Sequence, residues 1–162
     1  MLIVSDTSAI SNLLLIDRLT LLKYVYQNIV IPPSVHTELL ELAKFGGDIS
    51  KYLAAEWIEI KTPSDILLIG NLLKDLDEGE AEAIVLAKEL GADYLLIDER
   101  RGYKIADKMG LTAIGLIGVL LKAKSEGHIK KVLPIVDALR NDAGFWINDK
   151  FCDEIRILAG EQ

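Results

Sequence analysis

Short, wholly apolar runs alternating with helix-length segments constrain this chain more than any other feature. Leu2-Ile3-Val4, Ile29-Val30-Ile31, Trp57-Ile58-Glu59-Ile60, Tyr94-Leu95-Leu96-Ile97 and a shorter stretch near Thr112 to Ile114 have the length and side-chain type of strands. Most are apolar at every position, so they need cover on both faces, the condition of a parallel sheet between two layers of helices. The segments between them read as helices, at about Ser8 to Ile16, Leu19 to Tyr26 and Val35 to Phe45, the last launched by Pro32-Pro33 and ended at Gly46-Gly47. Pro63 is expected to start another, and Asp77 to Leu90, closed by Gly91, is the clearest of all. Leu116 to Ser125, Lys131 to Leu139 and Asn148 to Leu158 complete the set. The expected architecture is a three-layer α/β/α sandwich with a central, mainly parallel sheet. With 162 residues and no repeat, linker or low-complexity segment, the chain is expected to form one domain over residues 1–162.

Composition narrows the chemistry. Hydrophobic residues at 51% and charged residues at 27% give a chain that builds a core rather than staying disordered. The longest apolar or glycine run, Ala113 to Leu121, is too short to cross a bilayer, and the N-terminus lacks a basic leader region, so a cytoplasmic protein is expected. Cys152 is the only cysteine, which excludes an internal disulfide and a thiolate metal cluster; it is expected to fill a small core space on the last helix. His36 and His128 belong to no catalytic triad pattern, and neither a Gly-x-Ser-x-Gly elbow nor a phosphate-binding loop is present. A net charge of −7 counts against a broad nucleic-acid-coating surface.

What remains is a set of acids. In open α/β sheets, sites form beyond the carboxyl ends of the strands, and Asp6 and Asp98 each close an apolar strand run. Glu38 shares a helical face with Val35, Leu42 and Phe45, whereas Thr37, Glu41 and Lys44 take the polar face. Glu80 continues through Ala83, Ile84 and Ala87, while Glu82 aligns with Leu86 and Glu89 on a more polar side, so Glu80 is preferred to Glu82. Each acid also has a structural alternative: Asp6 as a helix cap, Glu38 as a boundary residue, Asp77 with Glu80 as a capping box, Asp98 as a loop or cap residue with Glu99 as its substitute. Buried carboxylates are costly unless paired or coordinated, so acids brought together in this way are oxygen ligands suited to a hard divalent cation. Ser8 is placed to orient a water or to cap a helix. Arg100, Arg101 and Lys104, just past Asp98, are placed to hold phosphates, with Lys122, Lys124, Lys130 and Lys131 farther away.

The order and spacing of Val4-Ser5-Asp6-Thr7-Ser8, Pro32-Pro33-Ser34-Val35-His36-Thr37-Glu38, Gly79-Glu80-Ala81-Glu82-Ala83-Ile84 and Leu96-Ile97-Asp98-Glu99-Arg100 resemble the PIN domain superfamily. Ala106 to Gly110 and Gly115 to Lys124 are similar to a prokaryotic branch of it, so the likeness covers most of the chain. The resemblance implies a PIN-like sandwich, often homodimeric, with a Mg²⁺- or Mn²⁺-dependent nuclease site built from Asp6, Glu38, Glu80 and Asp98. It also implies an endoribonuclease acting on single-stranded RNA, in the role of a toxin neutralised by a small antitoxin protein. A second reading is a catalytically silent PIN-like binding or scaffold domain, for which Phe145-Trp146-Ile147, Phe151 and Ile155 would offer contact surface. A third, phosphotransfer with Asp6 as nucleophile, is weakened by Ser8 where an Asp-x-Asp start would need its second acid.

Overall fold

The computed structural model describes residues 1–162, and every strand-like run of the sequence becomes a strand in it. β1 (Ile3–Ser5), β2 (Ile29–Ile31), β3 (Ile58–Ile60), β4 (Tyr94–Leu96) and β5 (Ala113–Ile114) pair in the order β3-β2-β1-β4-β5, all parallel. Val4 stands opposite both Val30 and Leu95, so β1 is the middle strand. The chain adds strands outward on one side of β1 and then returns to add β4 and β5 on the other. That reversal opens a crevice beyond the carboxyl ends of β1 and β4.

Ten helices connect and cover the sheet: α1 (Thr7–Leu15), α2 (Thr20–Tyr26), α3 (Pro33–Lys44), α4 (Ser50–Leu53), α5 (Ile66–Leu72), α6 (Glu78–Leu90), α7 (Arg100–Lys108), α8 (Leu116–Ser125), α9 (Leu133–Asp142) and α10 (Asp149–Ala159). Alternate strand residues feed two separate cores, as period-two geometry requires. Ile3, Ile29, Ile31 and Leu96 join the larger one with residues of α1, α2, α3, α8, α9 and α10. Val4, Val30, Leu95 and Ile97 join the smaller one with residues of α5, α6 and α7. The result is the expected three-layer sandwich. No helix is long and apolar enough to cross a membrane.

Several local expectations are corrected by packing. Phe45 is 86% exposed instead of continuing the apolar stripe of α3, because the helix ends there and the chain turns away; Val35 and Leu39 carry the buried face. Leu86 is buried with Ala83, Ile84 and Ala87, since α6 lies between the sheet, α5 and α7 and is covered almost all round. Pro63 does not open a helix; α5 begins at Ile66 with Asp65 as its cap, and the lead-in at Ser64 and Asp65 donates its N–H groups to the Glu89 carboxylate. Of the C-terminal aromatic segment, Trp146 is exposed whereas Ile147 and Ile155 are core. Cys152 is half-buried and its Sγ accepts from Arg140 Nη1 at 2.9 Å.

One polar contact ties α8, α9 and α10 together. The Glu161 carboxylate accepts from Lys124 Nζ at 2.8 Å and from the first free N–H groups of α9, Val132 N at 2.7 Å and Leu133 N at 3.1 Å. Burial opposes its charge, but these donors outweigh it and hold the carboxyl down at about 2, from an ordinary 4.5. A depressed carboxylate stabilises the fold above its unfolded pKa and loses that contribution as pH falls through the folded one. Glu161→Gln is therefore expected to cost about 1 kcal/mol near neutral pH. The difference in melting temperature from the parent should shrink between about pH 4.5 and pH 2, measurable by thermal denaturation across that range.

Candidate active site

The crevice at the carboxyl ends of β1 and β4 is where the acids gather, and each is seated by local structure. Asp6 follows β1 directly; its N–H donates to Leu96 O at 3.0 Å, and its Oδ1 accepts from Ser8 N at 3.1 Å, which caps α1. It is 2% exposed. Glu38 sits on the second turn of α3, and Thr7 Oγ1 donates to its Oε2 at 2.5 Å. Glu80 is in the first turn of α6, where it forms a reciprocal capping box: Glu80 N donates to Asp77 Oδ1 at 2.8 Å and Asp77 N to Glu80 Oε1 at 3.3 Å. Asp98 follows β4, and Leu116 N, opening α8, donates to its Oδ1 at 2.8 Å. Glu99 caps α7 through Gly102 N at 3.0 Å. Capping and site geometry, which stood as alternatives in the sequence, are realised by the same residues. Helix N-termini present free N–H groups and partial positive charge, which is why acids accumulate there.

A cavity of about 120 Å³ is lined by Asp6, Thr7, Ser8, Glu38, Asp77, Glu80 and Glu99, with no hydrophobic side chain among them. Three of the four sequence-selected acids thus face one space. Asp98 stands beside Asp6, close enough to raise its pKa, but does not line this cavity; its Oδ1 is turned to the start of α8. Glu82 does not line it either. No three acidic, histidine or cysteine side chains come close enough together to hold a metal ion as they stand; the acids edge a cleft. Asp77 and Thr7 are lining residues that the sequence reading did not single out for the site. Asp77 was visible only as a cap, and nothing local to Thr7 announces its bond to a residue on α3. Arg100, Arg101 and Lys104 are exposed on α7 outside the cleft, and Arg101 Nη1 donates to Asp75 O at 3.3 Å.

The electrostatics are those of acids lacking a counter-charge. None of Asp6, Glu38, Glu80 or Asp98 takes part in an ion pair. Burial pushes the Asp6 carboxyl well above its ordinary range, and the nearby charges of Asp98 and Glu80 add to the rise. Burial likewise raises Glu38 against the lowering effect of Thr7, raises Asp98 against the bond from Leu116, and lifts Glu80 to about 7, with Asp77 contributing. Glu80 Oε2 and Asp98 Oδ2 are buried with no hydrogen-bond partner. Buried acceptors without donors normally signal a missing partner. An all-oxygen donor set with orphaned carboxylate oxygens and no cationic neighbour suits a hard divalent ion in its chemistry, although the side chains as they stand are too far apart to form a three-ligand group.

A family model described as DUF3368, PIN domain, matches residues 2–161. Among solved structures the chain is similar to a PilT N-terminus domain protein from the hyperthermophilic archaeon Sulfolobus solfataricus, with a TM-score of 0.55 at 23% identity. The likeness covers 80% of this chain and 97% of that one, and it supports the fold. No curated protein matches the chain.

An acid whose folded pKa is raised above its unfolded value loses stability as pH climbs from the lower value to the higher. For Glu80 that window runs from about 4.5 to about 7. Metal-free protein, held in chelator, should therefore melt at progressively lower temperature across this range, and Glu80→Gln should flatten the slope. A slope unchanged by the substitution would show that Glu80 is not the group responsible.

Proposed function

The chain belongs to the PIN domain family, and from that premise we propose that it is a divalent-metal-dependent nuclease, specifically an endoribonuclease cleaving single-stranded RNA. The observation that carries the reading is the pair of partnerless buried oxygens, Glu80 Oε2 and Asp98 Oδ2, in a crevice of acids that no lysine or arginine neutralises. Asp6, Glu38, Glu80 and Asp98 would hold Mg²⁺ or Mn²⁺ once their side chains draw in around it, with Asp77 and Glu99 on the same cavity to act through water. A bound ion supplies Lewis acidity and the positive charge that an acidic cleft needs to accept a phosphodiester. Thr7 keeps Glu38 in place by its 2.5 Å bond, and the Ser8 hydroxyl, on the cavity wall, is available to orient water or a phosphate oxygen.

Substrate contact is supported by α7. Arg100, Lys104 and Lys108 recur every fourth residue, are exposed and form no ion pair, so they make a cationic stripe that starts beside Glu99 and leads away from the cleft. Successive members are about 6 Å apart along the helix axis, a spacing suited to consecutive phosphates of an extended strand. Tyr103, 45% exposed on the same helix, offers a ring for base stacking. A homodimer and an inhibitory antitoxin protein belong to the same proposal, supported by the exposed apolar residues Ile66, Leu67 and Leu73 at α5.

Mn²⁺ or Mg²⁺ is expected to raise the melting temperature, because only the folded state gathers the acids. Asp98→Asn and Asp6→Asn should melt higher than the parent in chelator, since a repelling charge is gone, yet gain less from metal. A melting curve indifferent to metal would favour the silent scaffold. Single-stranded RNA should be cut by purified protein with Mn²⁺ and spared in chelator, and Asp98→Asn should leave it intact. Replacing Arg100, Lys104 and Lys108 together by Gln should lower the salt dependence of RNA affinity, log K against log salt, by about 2 if all three contact phosphates.

A further inference from the structure

Gly79 and Gly115 stand where backbone conformation does not call for glycine. Gly79 is the second residue of α6, and Gly115 is the N-cap of α8 with φ −85° and ψ 172°; neither has positive φ. Alanine suits the helical position better, because glycine loses more chain entropy on folding. What glycine leaves at both places is room. A Cβ on Gly79 would lie 2.5 Å from Glu38 Oε1 and 3.2 Å from Glu38 Cδ, and its three nearest atoms all belong to that carboxylate. A Cβ on Gly115 would lie 2.9 Å from Asp98 Oδ1, with its next neighbours at 3.9 Å. The space a side chain would fill is the space a site carboxylate occupies, at the N-terminus of a helix in each case.

We propose that Gly79 and Gly115 are positioning residues: their missing side chains let Glu38 close onto the N-terminus of α6 at the acidic cavity, and let Asp98 dock on the N-terminus of α8 beside Asp6. The inference rests on the metal-site reading for its functional meaning. Its geometry is separate, because the atoms a Cβ would meet are the movable ends of acid side chains. Alanine would therefore displace the carboxylate rather than the backbone, straining the bonds that tether it, from Thr7 Oγ1 to Glu38 and from Leu116 N to Asp98. Gly102 is a different case, since a Cβ there meets Ile97 Cδ1 at 2.6 Å before Glu80 Oε2 at 3.3 Å, so its room is shared with the core.

The test titrates Mn²⁺ into the full chain carrying Gly79→Ala or Gly115→Ala, with calorimetry or the electron-spin signal of free Mn²⁺ as readout. Affinity should fall about tenfold or more, as when a group supporting a ligand is lost. The metal-free melting temperature of Gly79→Ala should stay close to the parent's, because the gain of a helical alanine offsets the disturbed bond from Thr7 to Glu38, and this separates displacement of a ligand from damage to the fold. In a Glu38→Gln background Gly79→Ala should cause no further loss of affinity, because its effect passes through that carboxylate. Alanine variants that bind Mn²⁺ as tightly as the parent overturn the inference. A parent chain that binds no Mn²⁺ overturns the metal reading instead. The displacement is then decided by a crystal structure of Gly79→Ala: a Glu38 carboxylate moved away from residue 79 supports the inference, and one still packed against it overturns it.

Discussion

Negative charge gathered without positive charge is the constraint on which this molecule turns. Asp6 and Glu80 are buried, and Glu38 and Asp98 half-buried, at one edge of a parallel sheet with no ion pair to offset them. Backbone holds most of them, and the Thr7 hydroxyl holds Glu38. The starts of α1, α6 and α8 supply N–H donors to Asp6, Glu80's capping partner Asp77, and Asp98, while α7 is capped by Glu99 beside them. A parallel sheet makes this arrangement natural, because each strand hands its carboxyl end to a helix that begins there. The donors are too few for the charge, and two carboxylate oxygens stay unpaired.

This imbalance costs stability. Raised carboxyl pKa values mean that ionising these acids is harder in the folded than in the unfolded chain, so the crevice weakens the protein it belongs to. The remaining structure is built to withstand that: α6, which carries Glu80, has a capping box at one end, Gly91 in the left-handed conformation at the other, and buried alanines and branched residues between. Glycines at the starts of α6 and α8 concede more, giving up side chains so that acids can approach. Outside the crevice the charge pattern reverses along α7, whose unpaired cations begin where the acids end.

Much of this was legible along the chain. Strand runs that are apolar at every position admitted few arrangements besides a covered parallel sheet, and β1 and β4 ended one or two residues before Asp6 and Asp98 as their sequence contexts implied. Glu80 over Glu82 followed from helical period, which survives folding because it is local. The same reasoning failed for Phe45 and Leu86. Phe45 kept the period of α3 but lay at its end, where the chain departs; Leu86 lay on a nominally polar face that α5 and α7 happen to cover.

Sequence alone determined the class of fold, the acids worth watching and the ends of the sheet at which they emerge, because periodicity, capping and strand length are properties of neighbours. It could not determine that Thr7 would hold Glu38, that Asp98 would turn to α8, or that Gly79 and Gly115 would make space for acids from other segments. Those contacts join residues far apart along the chain and depend on how three layers stack. Only the tertiary structure fixes distances of that kind, and a site assembled from four separate segments of the chain consists of little else.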